Sequence, residues 1–125
     1  MNHNEISGII IQKATTIHQS LGPGLLESVY KNILIHELLA CGLHAEPEVM
    51  IPVNYGGKVF EFGFRADIIV ENKIIIEVKS VENVQAMHMK QLLTYLKLTK
   101  LRLGLLLNFN TVLLKDGIIR IVNGL

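Results

Sequence analysis

The 125-residue sequence has one cysteine, Cys41, so an internal disulfide is excluded. It has no long apolar run. Stretches such as Leu103 to Leu107 are short and bounded by polar residues, far from the roughly 20 residues a membrane helix needs. The first residues, Met1 to Glu5, lack the basic and apolar regions of a secretion signal. These absences lead us to expect a cytoplasmic protein with no membrane partner. No glycine-rich phosphate loop of the P-loop or Rossmann kind is present. The five histidines lack zinc-ligand spacing, and Ser28 beside Glu27 has no partner for a serine hydrolase. A large charge of one sign is also missing. The net charge of +1 argues against tight, sequence-independent binding to long duplex DNA.

What the sequence does have is apolar mass. Half of its residues are hydrophobic, enough to fill one core, and neither repeats nor a linker divide it. We expect one domain over residues 1–125. Its charge is unevenly placed. Up to Asn72 there are four basic and eight acidic residues, and from Lys73 onward eight basic and three acidic ones. A basic second half can meet phosphates, but such blocks are more often a solvated surface.

Hydrophobic periodicity predicts the elements. Ile6, Ile9, Ile10, Ala14 and Ile17 predict a helix over Glu5–Leu21, broken by Gly22-Pro23-Gly24. A second helix is expected over Leu25–Ala40, with Val29, Ile33, Leu34 and Leu38 inward. Strands are expected over Val49–Tyr55 and Lys58–Val70, joined at Gly56-Gly57. In the second of these, Phe60, Phe62, Phe64, Ala66, Ile68 and Val70 share one face by period-two alternation. Ile74–Ser80 follows as a strand, and Gln85–Lys97 as a helix with Met89, Leu92, Leu93 and Leu96 inward. Arg102–Phe109 reads as a strand buried on both faces. A last hairpin is expected from Val112–Leu114 and Ile118–Val122 around Asp116-Gly117. This order implies an α/β fold, a mixed β-sheet with flanking helices.

The chemistry concentrates at the turn Glu71-Asn72-Lys73. A three-residue loop pairs Val70 with Ile74 and sets Asp67 opposite Glu77, with apolar faces matched. The odd face then carries Asp67, Glu77 and Lys79. Directly opposed carboxylates are destabilising, so folding alone does not call for them. A bound cation would explain the pair, since carboxylate oxygens are preferred ligands of Mg²⁺. A surface cluster offset by Lys79 is the plainer alternative.

Asp67 followed by Glu77-Val78-Lys79 on the next strand resembles the (D/E)…(D/E)-X-K signature of PD-(D/E)XK nucleases, without the proline often found before the first acid. Gly24-Leu25-Leu26-Glu27-Ser28-Val29-Tyr30 resembles the G-x-x-E-x-x-Y motif of a family of small proteins in that superfamily. Gln91 and Tyr95 resemble the Q-x-x-x-Y motif of RecB-type nucleases. The resemblance spans nearly the whole chain. It implies a restriction-endonuclease-like core in which Asp67, Glu77, the Val78 carbonyl and Glu27 hold Mg²⁺ (or Mn²⁺). It further implies that Lys79 positions a water or stabilises developing charge, and that Gln91 and Tyr95 support the site or the nucleic-acid strand.

Each residue also has a bland reading. Glu27 suits the first turn of a helix through the dipole. Tyr30 reads as a packing residue with a polar tip. Gln91 and Tyr95 read equally well as an exposed polar face, and His88 as a surface or packing histidine. The expected function is metal-dependent hydrolysis of nucleic-acid phosphodiesters, with DNA ahead of RNA. The alternative is a non-catalytic module on the same fold that binds nucleic acid or protein. The apolar content is compatible with a homodimer, with Leu101–Phe109 or the first helix as the contact.

Overall fold

The computed structural model describes residues 1–61 and 63–125. Two helices come first, α1 (His3–Leu21) and α2 (Glu27–Ala40). Helix α1 starts two residues earlier than its apolar stripe requires, because Asn2 caps it. The Asn2 side chain accepts from the Glu5 N–H at 2.8 Å, and the Glu5 carboxylate accepts from the Asn2 N–H at 3.2 Å. This reciprocal pair satisfies amides that the first turn leaves free. Strands β1 (Ala45–Met50), β2 (Val53–Tyr55), β3 (Lys58–Phe60), β4 (Arg65–Val70) and β5 (Ile74–Lys79) follow. Helix α3 (Ala86–Thr99) then crosses to β6 (Leu103–Asn108), and β7 (Ile118–Val122) closes the chain. No helix among the described residues is long and apolar enough to cross a membrane.

The main sheet has the order β1-β4-β5-β6-β7. Its β5–β6 pair is parallel, joined by α3, and the other three pairs are antiparallel. Helices cover both faces. Ile6, Ile10 and Ile17 of α1 and Leu34 and Leu38 of α2 pack against Ile68, Val70, Ile76, Val78, Leu105 and Leu107. Leu92, Tyr95 and Leu96 of α3 pack against Ile69, Ile75 and Leu106. This is the expected α/β architecture. Strand β6 is buried along its whole length, as its unbroken apolar run requires. Leu103–Phe109 is therefore consumed inside the fold and offers no surface to a second copy.

Gly104 of β6 lies against Leu92 of α3. A Cβ there would lie 2.9 Å from Cγ and Cδ1 of Leu92, closer than real contacts allow. We expect Gly104→Ala to cost about 1–3 kcal/mol through overpacking, read as a lower urea midpoint with an unchanged slope. A midpoint equal to wild type would mean that α3 floats on the sheet.

Several expectations are corrected. The segment Lys58–Val70 is two strands, not one. Gly63, at φ +110°, lies between β3 and β4, in a region that β-branched and aromatic residues avoid. Val49–Tyr55 is likewise divided, with Met50 ending β1 and Pro52, which has no N–H to donate, preceding β2. Among the described residues, strands β2 and β3 pair only with each other, as a small separate sheet. Phe60 and Phe64 are therefore part-exposed rather than core, and Phe62 lies outside the described residues. Val112–Leu114 is not a strand. Leu114–Gly117 forms a single 3₁₀ turn, and β7 pairs back onto β6. In the helices, Tyr30 is buried in place of Val29. On α3, Tyr95 is buried where Met89 and Leu93 are only half-buried.

The alternation of side chains also slips in the middle of β1 and β4. Ala45, Ile68 and Val70 belong to the core under α1 and α2, but Val49 and Ala66 belong to the core under α3. The ladder skips one opposed pair at that point, Glu48 and Asp67. Glu48 takes φ +51°, the left-handed region. The even positions of β4 thus do not share one face, and Asp67 sits at the slip.

Candidate functional site

The antiparallel ladder between β4 and β5 runs from Val70↔Ile74 to Ile68↔Ile76. This is the expected register. One step further, where Asp67 would pair with Glu77, side chains replace the backbone bonds. The Asp67 N–H donates to Glu77 Oε2 at 3.1 Å, and the Val78 N–H donates to Asp67 Oδ2 at 2.8 Å. Two residues along the same edge of β5, the Ser80 N–H donates to Glu27 Oε2 at 3.0 Å. In a strand the N–H and C=O of one residue point the same way. The Val78 carbonyl therefore faces the same edge of β5 as its N–H. The mouth of the β4–β5 hairpin is lined with oxygen donors.

Glu77 is 6% exposed. Burial pushes its carboxyl up to about 8; the charge of Asp67 and the hydrogen bond that the protonated Glu77 carboxyl donates to the Asp67 side chain add to this, while the Asp67 N–H and Lys79 oppose it. Glu77 therefore keeps its proton at neutral pH. Lys79, half-buried, is close enough to act on Glu77. Tyr95 reaches the pair from α3. Its hydroxyl pKa is raised by burial first and then by the charges of Glu77 and Asp67. The ring is 4% exposed and meets Phe64 edge-on at 5.9 Å. The exposed-face reading of Tyr95 is thereby overturned: α3 turns this residue into the sheet. Gln91, one turn earlier, is half-buried, and no hydrogen bond among the described residues ties it to either acid. His88 accepts from the Gln85 N–H through Nδ1 at 3.1 Å and so belongs to the start of α3.

Glu27 stands somewhat apart. Among the described residues, no three His, Cys, Asp or Glu side chains lie close enough together to hold a metal ion as they stand. Its position is nevertheless firmly built. Tyr30, fully buried, stacks on Phe109 at 4.3 Å between ring centroids. Its hydroxyl donates to the Gly22 carbonyl at 2.5 Å and accepts from the Leu25 N–H at 3.1 Å. This folds the Gly22–Leu25 loop back onto the start of α2. Ser80 Oγ donates to the Leu25 carbonyl at 2.8 Å, tying that loop to the end of β5. Gly24 takes φ +101° inside the loop, which only glycine adopts freely. The spacing of Gly24, Glu27 and Tyr30 thus has a physical meaning: turn, acid, anchor. We expect Tyr30→Phe to keep the stacking yet cost about 1–2 kcal/mol, because the Leu25 amide loses its acceptor. The check is faster hydrogen exchange confined to residues 22–28; unchanged exchange there would refute the anchor.

Sequence reasoning missed Ser80, Asn108 and the Lys31–Glu48–Arg65 group. Asn108 is buried at the end of β6. Its amide donates to the Val81 carbonyl at 2.9 Å and accepts from the Val81 N–H at 3.1 Å, fixing the chain just past Ser80. Lys31 pairs with Glu48, and Arg65 Nη1 lies 4.0 Å from Glu48 Oε2. One available signal was the spacing of Lys31, four residues after Glu27 and hence on its helix face.

A mixed sheet covered on both faces, with opposed acids at its central hairpin and a lysine two residues on, defines a nuclease-like fold. The family model of the PD-(D/E)XK nuclease superfamily matches residues 4–121, and the chain belongs to that superfamily. No curated protein matches it. Among solved structures, the crystal structure of SSO0001 is similar at 25% identity, over 93% of this chain and 76% of that one, with a TM-score of 0.45.

Proposed function

We propose that this chain is a metal-dependent nuclease of the G-x-x-E-x-x-Y kind that hydrolyses nucleic-acid phosphodiester bonds. One observation carries the reading. The β4–β5 ladder stops at Ile68↔Ile76, and at the next position two carboxylates accept from backbone N–H groups where backbone pairing would otherwise continue. Nothing in the packing of the sheet requires a buried glutamic acid beside an aspartate there. The donor set is all oxygen, which suits a hard divalent cation such as Mg²⁺ or Mn²⁺. Superfamily members typically use divalent metal ions.

Asp67, Glu77 and the Val78 carbonyl would hold the ion, with Glu27 approaching from α2. The bound cation would polarise the phosphodiester and make an attacking water more acidic. Lys79 extends to the same side as Glu77, where it orients that water or stabilises charge developing on the phosphoryl oxygens. Tyr95 closes the site from α3 and keeps bulk water from the buried acid. Gln91 lies further out on α3 as a contact for the strand. The proposed substrate is DNA ahead of RNA. The test is calorimetric titration of Mn²⁺ and Mg²⁺, followed by a cleavage assay on single-stranded, duplex and flapped oligonucleotides. Metal binding without cleavage of any of them would favour a non-catalytic binding module.

A further inference from the structure

On the other side of Asp67 from Glu77 lies a group of charges that metal binding does not use. Glu48 sits opposite Asp67, at the one position skipped in the β1–β4 ladder, and takes φ +51° there. A non-glycine residue held in that region is strained, and such strain often accompanies a functional site. Its carboxylate meets Lys31 from α2 and Arg65 from β4. The Lys31 hydrogen bond holds the Glu48 carboxyl below its ordinary value, so it stays charged at neutral pH. Both cations ride on elements that carry the acids. Lys31 is one helical turn past Glu27, and Arg65 is two residues before Asp67.

We propose that Lys31 and Arg65 form a subsite for a backbone phosphate of the nucleic-acid strand, with Glu48 standing in for that phosphate when no strand is bound. This deepens the nuclease reading and rests on it. The accessibilities fit an exchangeable occupant. The Lys31 side chain is 15% exposed, whereas the Glu48 side chain is 43% exposed and so lies within reach of solvent and of a competing ligand. Arg65 is 61% exposed, and its planar fork suits a carboxylate and a phosphate alike. A strand whose scissile phosphate lies over Asp67 and Glu77 passes beside these cations. They would attract it where the acids alone would repel it. The stand-in also keeps two cations from being left unpaired between turnovers.

The experiment measures anisotropy of a fluorescein-labelled single-stranded DNA of about 20 nucleotides, in Ca²⁺, across a range of salt. Lys31→Ala and Arg65→Ala should each weaken binding by about three- to tenfold and reduce the salt slope by about 0.7. Glu48→Gln, nearly isosteric, should tighten binding by about threefold or more, with Mn²⁺ affinity unchanged. Wild-type affinity in both alanine variants would overturn the subsite, even if cleavage persists and the nuclease reading stands. Weaker Mn²⁺ binding in Glu48→Gln would overturn it too, by making Glu48 a metal ligand. Failure of wild type to retain the oligonucleotide at low salt would also overturn it. Binding that follows the predicted pattern without cleavage in Mg²⁺ would support the subsite and sink the nuclease.

Discussion

Lys79→Ala is expected to lower the rate of phosphodiester cleavage by about 10²–10³-fold while leaving Mn²⁺ affinity within about threefold of wild type. The split follows from where the lysine sits. Lys79 follows Glu77 by two on β5 and acts on it electrostatically, but as a cation it cannot ligate a metal. Asp67→Asn should behave differently. Its amide oxygen still accepts from the Val78 N–H, so the mouth of the hairpin keeps its shape. The lost charge should abolish metal binding in the calorimeter and remove activity together with it. An Asp67→Asn protein that cleaves at the wild-type rate would end the proposed mechanism. A Lys79→Ala protein that does so would remove only the role given to the lysine.

The second large effect is on stability and needs no substrate. Glu77 keeps its proton in the folded chain up to about pH 8, whereas an ordinary glutamate loses it near 4.5. Between those values the native state binds more protons than the unfolded one, so stability falls as pH rises through that window. For an acid this buried the loss is on the order of 3 kcal/mol, or a drop of about 10 °C in melting temperature between pH 5.5 and 8.5 in EDTA. Glu77→Gln carries no ionisable group, and its amide can donate to Asp67 as the protonated acid does. Its profile should be flatter by most of that difference. A divalent cation should restore the wild type at pH 8.5 by offsetting the buried carboxylate charge that loss of the proton leaves behind, and should do little for the glutamine variant. Parallel profiles for the two proteins in EDTA would mean that no proton is held at this site.

Both expectations rest on a register that the sequence already determined. Shifting the β4–β5 hairpin by one residue would set charged positions against apolar ones, so Val70↔Ile74 was the pairing that kept both faces consistent. The acids, the lysine after Glu77, the buried run of β6 and the helices of both layers were legible for the same reason. Each is a local periodicity or a fixed spacing along one element. Tyr30 as a packing residue with a polar tip was legible too, and the structure adds its two backbone partners.

What the tertiary structure alone decided lies where neighbouring strands part. The slip at Glu48 and Asp67 reverses side-chain alternation in two strands at once, and no single strand's pattern carries that information. Lys58–Val70 looked continuous because its apolar positions alternate throughout. Gly63 lets the chain turn between β3 and β4, and only pairing partners decide where a strand ends. The Ser80–Glu27 and Ser80–Leu25 bonds join residues more than 50 apart in sequence, and the Lys31–Glu48–Arg65 group gathers three separate elements. Hydrophobic burial fixes which residues point inward along each element. The site is made by hydrogen bonds and charges between elements, at the point where the backbone ladder no longer satisfies its own donors.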